Sequence, residues 1–490
     1  MSRLADLYRP SLALLTDLYQ LTMGQAYWKS GTGGQEAAFH LYFRKSPFGG
    51  GFAVACGLAR ALDHLAQFRF REEDLAYLAS LPGNDARPLF DPAFLSELGR
   101  LELACDVHAV PEGTVVFPQE PLVRVTGPLF QAQLLETALL NIVNFETLIA
   151  TKAARICLAT RGAPVLEFGL RRAQGIDGGL SASRAAYVGG CVATSNVLAG
   201  RLHGIPVRGT HAHSWVMSFD GELEAFLAYA AAQPNNCVFL VDTYDTLEGV
   251  RRAIQAGRRL RERGHELAGV RLDSGDLAYL SLEARRLLDE AGFPQASIVA
   301  SNDLDEGVIV SLEDQDAAID VWGVGTRLVT GGDEPALGGV YKLAAVRRPG
   351  EPWRHRVKVA EQAVKVSNPG IQQVRRFESP DGFLADVIWD EDAGFGPEGI
   401  MIDPLDPTRR RPLPAGASWS DLLVPVLRGG RVVYEPPPAA AARERVREQL
   451  ARLHPGVKRF VHPHQYPVGL TASLFELRSR LLLEARGLPT

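Results

Sequence analysis

Long apolar runs are missing from this 490-residue sequence. No stretch approaches the roughly 18 consecutive apolar residues of a membrane-spanning helix, so no membrane partner is expected. The opening segment, MSRLADLYRP, has neither the apolar core nor the small-residue cleavage site of a secretory leader, which points to the cytoplasm. Cysteine is scarce. Cys56, Cys105, Cys157, Cys191 and Cys237 are scattered and form no CxxC pair, which argues for a reducing compartment and against zinc. Basic charge is not in excess either. The 52 Lys and Arg face 57 Asp and Glu, a net charge of −5, which excludes the broad cationic surface that nucleic-acid binding needs. Any anionic ligand must therefore meet a local cluster. No GxxxxGK[ST] segment occurs, so a P-loop NTPase is excluded. What is present is an ordinary globular balance, 46% apolar and 22% charged, over a length that exceeds one hydrophobic core.

The middle of the chain has a repeating rhythm. Short apolar runs end at residues 168, 210, 242, 273, 302 and 326, and each leads into a helical pattern. Leu247, Val250, Ile254 and Leu260 recur at helical spacing, as do Leu280, Ala284, Leu287 and Ala291. Runs apolar at consecutive positions are strands buried on both faces, as in a parallel sheet. The fold class is therefore α/β, with an irregular βα barrel favoured over a doubly wound sheet. Residues 1–135 read as an α+β sandwich part and 136–345 as the barrel. Residues 346–490 read as a β-rich part returning to the sandwich, followed by terminal helices. Helices are expected around residues 131–160, 440–453 and 472–485, and the PPPAAAA run, 436–442, reads as a linker.

Ligands of parallel βα sheets bind at the carboxyl ends of the strands. Those ends offer Glu167 with Arg171 and Arg172, then Thr210 to Ser214, Asp242, Arg271 to Asp276, Ser301-Asn302-Asp303, and Gly323 to Arg327. Asp273-Ser274-Gly275-Asp276 runs into a helix and reads either as plain capping or as an anion site whose acids also suit Mg²⁺. Arg271 just before it favours an anion. Gly323-Val324-Gly325-Thr326 and Ser301-Asn302 are further small loops of the same kind. His211 and His213, two apart on a strand end, would point the same way and suit a metal, a general base or a nucleophile toward phosphorus. Between His213 and Thr326 the one further histidine is His265, before a strand, so a binuclear metal hydrolase is disfavoured.

In chain order stand LLTDLYQ (14–20), EFGLRRAQG (167–175), GTHAHSW (209–215), VRLDSGDL (270–277), SNDLDE (301–306), GVGT (323–326) and LGGVYKL (337–343). Together they resemble nicotinate phosphoribosyltransferase, from about residue 14 to 390. The resemblance implies a type II phosphoribosyltransferase: an irregular barrel with a sandwich domain, usually a homodimer with sites at its interface. It implies synthesis of nicotinate mononucleotide and pyrophosphate from nicotinate and 5-phosphoribosyl 1-diphosphate (PRPP), coupled to ATP and served by Mg²⁺. By the same matching His213 resembles the histidine that ATP phosphorylates, and Tyr19 an aromatic stacking on the pyridine ring, contributed by the neighbouring subunit. Thr210 and Arg271 resemble nicotinate contacts, with Arg171 and Arg172 as alternatives for the carboxylate. Thr326 resembles a contact to the ribose phosphate, and Asp273 one to ribose hydroxyls or Mg²⁺. Ser274, Gly275, Ser301, Asn302, Gly323 and Gly325 fall in the small loops expected to line the substrates. The competing readings are a phosphoribosyltransferase for nicotinamide or quinolinate, a barrel hydrolase, and a non-catalytic binding protein of the same fold.

Overall fold

The computed structural model describes residues 12–396 and 399–489. The opening segment weighed above as a leader lies outside them. The chain forms two compact units. One takes residues 1–147, 336–437 and 448–490, and the other takes 148–335 and 438–447.

The labelled strands, in chain order, are β1 (Glu36–Phe43), β2 (Asp106–Ala109), β3 (Val123–Pro128), β4 (Val165–Glu167), β5 (Ala193–Thr194) and β6 (Val238–Leu240). They continue with β7 (Gly269–Leu272), β8 (Ser297–Asn302), β9 (Val321–Val324), β10 (Gly339–Arg347), β11 (Gln372–Ser379) and β12 (Gly382–Asp390). The helices needed below are α1 (Leu18–Lys29), α2 (Glu136–Ala159), α3 (Gly175–Gly189), α4 (Val197–His203), α5 (His213–Met217) and α6 (Leu277–Glu290). The expected terminal helices are present as Ala439–Arg452 and Ala472–Ala485. The first begins inside the run read as a linker, because its four alanines are strong helix formers once past Pro438.

The first unit is built on two sheets. A seven-stranded antiparallel sheet centres on β10, β1, β3 and β2, and a six-stranded sheet on β12 and β11. Across the first sheet, His40 on β1 and His108 on β2 both stand opposite Arg124 on β3. Arg124 is buried, donates to the Gln372 carbonyl and pairs with Glu391. Burial, and then the neighbouring guanidinium, hold His40 well below its ordinary pKa and push His108 down to about 4, where Arg428 adds to the effect. Below the ordinary value of 6.5 the unfolded chain takes up protons that these folded imidazoles refuse. Their contribution to stability is therefore complete above pH 6.5 and is lost as the pH falls toward 4. The urea midpoint should drop across that window, and His108→Gln should flatten the drop. An unchanged pH slope in the variant would remove His108 from the account.

The second unit is a six-stranded parallel sheet in the order β5-β4-β9-β8-β7-β6, with an isolated parallel bridge from Thr194 to Val207 beyond β5. Its fully buried apolar residues stand at alternate positions, Val270 and Leu272 on β7, Ile298 and Ala300 on β8, and Trp322 and Val324 on β9. The first strand, β4, pairs with the last, β9, as a barrel requires. Yet no ladder among the described residues joins Val207 to β6, so the barrel expected from sequence is an open, mixed α/β sheet instead. The cause is local. The run ending at Thr210 makes one bridge and no strand, and the Leu240 N–H that a neighbouring strand would have paired donates to His211 Nε2 at 3.3 Å. The short strand β5, absent from the sequence reading, takes a place beside β4.

Candidate active site

Several acids at the strand ends are helix caps. Asp245, Asp276 and Asp305 each accept the N–H groups of a helix start, at Glu248, Tyr279, and Gly307 with Val308. Capping therefore accounts for Asp276 in the Asp273–Asp276 loop. Gly275 turns that loop with φ +81°, and a Cβ there would meet Leu280 at 2.8 Å.

Asp242 and Asp273 are not caps. Asp242 accepts from the Asp273 N–H at 2.9 Å and the Ser274 hydroxyl at 2.6 Å through one oxygen. Its other oxygen is buried without a partner. Asp273 accepts from Arg271 at 2.9 Å and from the Ser301 hydroxyl, and its second oxygen lies 3.8 Å from His213 Nε2. Burial alone would raise the Asp273 pKa. The Ser301 hydrogen bond and the Arg271 guanidinium outweigh it and hold the carboxyl below its ordinary range.

Arg271 is the hub. Its guanidinium donates to Ser301 at 2.8 Å, Thr210 at 3.1 Å and Asp273 at 2.9 Å, and sits 5.7 Å from the centre of the Phe168 ring. All four partners end different strands or strand-like runs, so the cluster exists only because the sheet gathers the ends of β4, β7, β8 and the 207–210 run, although β9 lies between β4 and β8 and the run lies beyond β5.

The two histidines separate. His211 is buried among Tyr229, Phe226 and Phe239, and burial holds its pKa down. His213 begins α5 with its side chain 41% exposed, and its Nδ1 lies 3.2 Å from the Thr243 hydroxyl. They share no ligand position, because the chain turns from extended to helical between them. The hydrogen bond at Nδ1 leaves Nε2, beside Asp273, as the accessible nitrogen.

The structure thus unites Thr210, His213, Arg271, Asp273, Ser274 and Ser301, and adds Asp242, Thr243 and Phe168. Asp242 was legible only as a strand-end acid or cap. The signal for Phe168 was an aromatic ending a strand just before a glycine. Gly323 and Gly325 are needed for room: a Cβ at Gly323 would lie 2.7 Å from the Phe168 ring, and one at Gly325 3.2 Å from the Phe168 carbonyl. Asn302, next to Ser301, has φ +121°, a conformation that side chains rarely adopt and one often found at functional sites. Arg171 and Arg172 are exposed in the turn after β4, and Thr326 opens a four-residue helix after β9. Among the described residues no hydrogen bond ties these three to the Arg271 cluster. Tyr19 belongs to the first unit, where it stands 46% exposed on α1; burial and the nearby Glu136 raise its pKa.

A guanidinium, two uncapped acids and an accessible imidazole at the carboxyl ends of parallel strands define an enzyme for small anionic substrates. The comparisons narrow this. The nicotinate phosphoribosyltransferase N-terminal domain matches residues 14–144 and the C-terminal domain of the same family matches 371–478. A Bacillus subtilis (strain 168) protein named nicotinate phosphoribosyltransferase is 41% identical over 481 residues, 97% of this chain and 96% of the relative. The Homo sapiens protein of that name is 37% identical over 526 residues, 96% of each. The crystal structure of human nicotinic acid phosphoribosyltransferase aligns with a TM-score of 0.82 at 34% identity, over 95% of this chain and 99% of that one. A nicotinate-nucleotide pyrophosphorylase from Pyrococcus furiosus, at 23% identity and a TM-score of 0.69, shares the fold. This chain belongs to the nicotinate phosphoribosyltransferase family.

Proposed function

We propose that the protein joins nicotinate to PRPP, forming nicotinate mononucleotide and pyrophosphate with ATP as co-substrate, the entry of nicotinate into NAD salvage. The observation that carries this reading is Arg271: a half-buried guanidinium held by three neighbours beside an aromatic ring, able to face a planar pyridine carboxylate. The ring nitrogen attacks C1 of the ribose as the C1–O bond to diphosphate breaks, and the enzyme's part is chiefly to align the two. Thr210 stands beside Arg271 to orient the carboxylate. Arg171 and Arg172 are exposed cations suited to the diphosphate, and Ser274, Gly275, Asn302, Gly323, Gly325 and Thr326 offer small, polar edges for phosphate and ribose.

Asp242 and Asp273 fit a hard divalent cation: their oxygens are the right donors, and one Asp242 oxygen is buried without a partner. Mg²⁺ held there would offset charge on the phosphates. His213 Nε2 attacks the γ-phosphorus of ATP and ADP leaves; the phosphohistidine is later hydrolysed to phosphate, so ATP is spent in each cycle.

The active form is taken to be a homodimer, with Tyr19 of one copy stacking on the pyridine ring in the other. Exposed apolar surface supports this: Val197, Leu198 and Leu202 on α4, and Leu15, Leu18 and Met23 beside Tyr19. No described helix is long and apolar enough to cross a membrane, and none of the five cysteines forms a disulfide, in keeping with a cytoplasmic setting.

The direct test incubates the protein with Mg²⁺, PRPP and nicotinate, nicotinamide or quinolinate, with and without ATP. Nicotinate mononucleotide should form, faster with ATP, with no product from the amide. Product from nicotinamide or quinolinate alone would move the chain to another substrate.

A further inference from the structure

Glu167 is a carboxylate in an unusual position. It closes β4 and is fully buried, and among the described residues no cation lies within salt-bridge distance of it. A buried charge without a counter-ion is costly unless hydrogen bonds saturate it. Here three neutral donors do so, each from a different element. The Gly169 N–H, in the turn after β4, bonds one oxygen. The hydroxyls of Ser183 on α3, at 2.8 Å, and Thr194 on β5, at 2.5 Å, bond the other.

The direction of these bonds is set from behind. Asn196 donates through its backbone N–H to the Thr194 hydroxyl oxygen and through its side chain to that of Ser183. Both hydroxyls are thereby acceptors toward Asn196 and turn their protons elsewhere. Thr194 has Glu167 as its acceptor, and Ser183 has Glu167 or the Gly179 carbonyl. What the carboxylate fixes is the turn. Gly169 has no room for a side chain, since a Cβ would fall 2.2 Å from Val329, and Phe168 is held through its N–H to the Val324 carbonyl. That places the Phe168 ring against Gly323 and opposite the Arg271 guanidinium. Arg171 and Arg172 follow directly.

We infer that Glu167 is a positioning residue: its hydrogen bonds to Gly169, Ser183 and Thr194 lock the β4 turn so that Phe168 and Arg271 form one preformed pocket for the aromatic acid. It touches no substrate. This inference rests on the nicotinate-transferring reading of the site.

The test compares steady-state kinetics of the wild type, Glu167→Gln, Glu167→Leu and Ser183→Ala. It also compares labelling of His213 by γ-labelled ATP, which depends on α5 and not on this turn. Glu167→Leu should raise the KM for nicotinate by about tenfold or more, with a smaller change in kcat and unchanged labelling. Glu167→Gln keeps an acceptor for Gly169, and Ser183 can turn its proton to Gly179; only the Thr194 bond is lost. Its KM should stay within about threefold of the wild type. Ser183→Ala should fall between and decides the matter if the leucine variant does not fold. An unchanged nicotinate KM in Ser183→Ala and Glu167→Leu, or a raised KM accompanied by an equal loss of kcat and of labelling, would overturn the role. A wild type that makes no nicotinate mononucleotide would instead overturn the functional reading beneath it.

Discussion

Replacing Arg271 by alanine is expected to lower kcat/KM for nicotinate by on the order of 100-fold or more. The guanidinium is the hub of the site, and its loss removes the cation offered to the carboxylate while leaving Thr210 and Ser301 without their shared partner. Arg271→Lys should recover little, because an ammonium cannot reproduce a planar fork that reaches three neighbours at once. A second consequence carries a sign. Arg271 is one of the groups holding the Asp273 carboxyl below its ordinary range, so its removal lets that pKa rise. The acid limb of the pH–rate profile should move to higher pH in the alanine variant. Steady-state kinetics from pH 4 to 8 read both effects, and unchanged nicotinate kinetics would remove Arg271 from the pocket.

The next largest effect is expected at His213. His213→Ala should abolish acid-labile labelling of the protein by γ-labelled ATP and erase ATP stimulation, while a slower PRPP-dependent synthesis persists. The side chain is exposed, with Nδ1 engaged by Thr243 and Nε2 open beside Asp273. Thr243→Val should slow labelling by a smaller factor, about three- to tenfold, by freeing the ring to turn. ATP stimulation that survives in His213→Ala would assign the phosphoryl transfer to another group.

His211 shows why one motif held two different residues. In the sequence, His211 and His213 stand two apart and look equivalent. In the structure one closes a gap in backbone pairing at Leu240 and the other faces solvent. His211 owes its place to a partner nearly thirty residues further on, the Leu240 N–H of β6. The acids behaved likewise. Asp242, Asp245, Asp273 and Asp276 are chemically one kind, yet two cap helices and two face the guanidinium cluster.

The sequence by itself determined the α/β rhythm, the helices at 246–262, 277–290 and 472–485, and the arrival of Arg271, Asp273 and Ser301 at strand ends. These follow from hydrophobic period and from the local switch between strand and helix, both written within a dozen residues. It also carried the family, through motifs whose order is itself information. Only the tertiary structure decided that the sheet stays open at Val207, that β5 lies beside β4, and that Phe168 and Asp242 stand with Arg271 and Asp273. Those facts depend on which strands become neighbours, a matter of backbone hydrogen bonds between segments far apart in the chain. No local pattern encodes them.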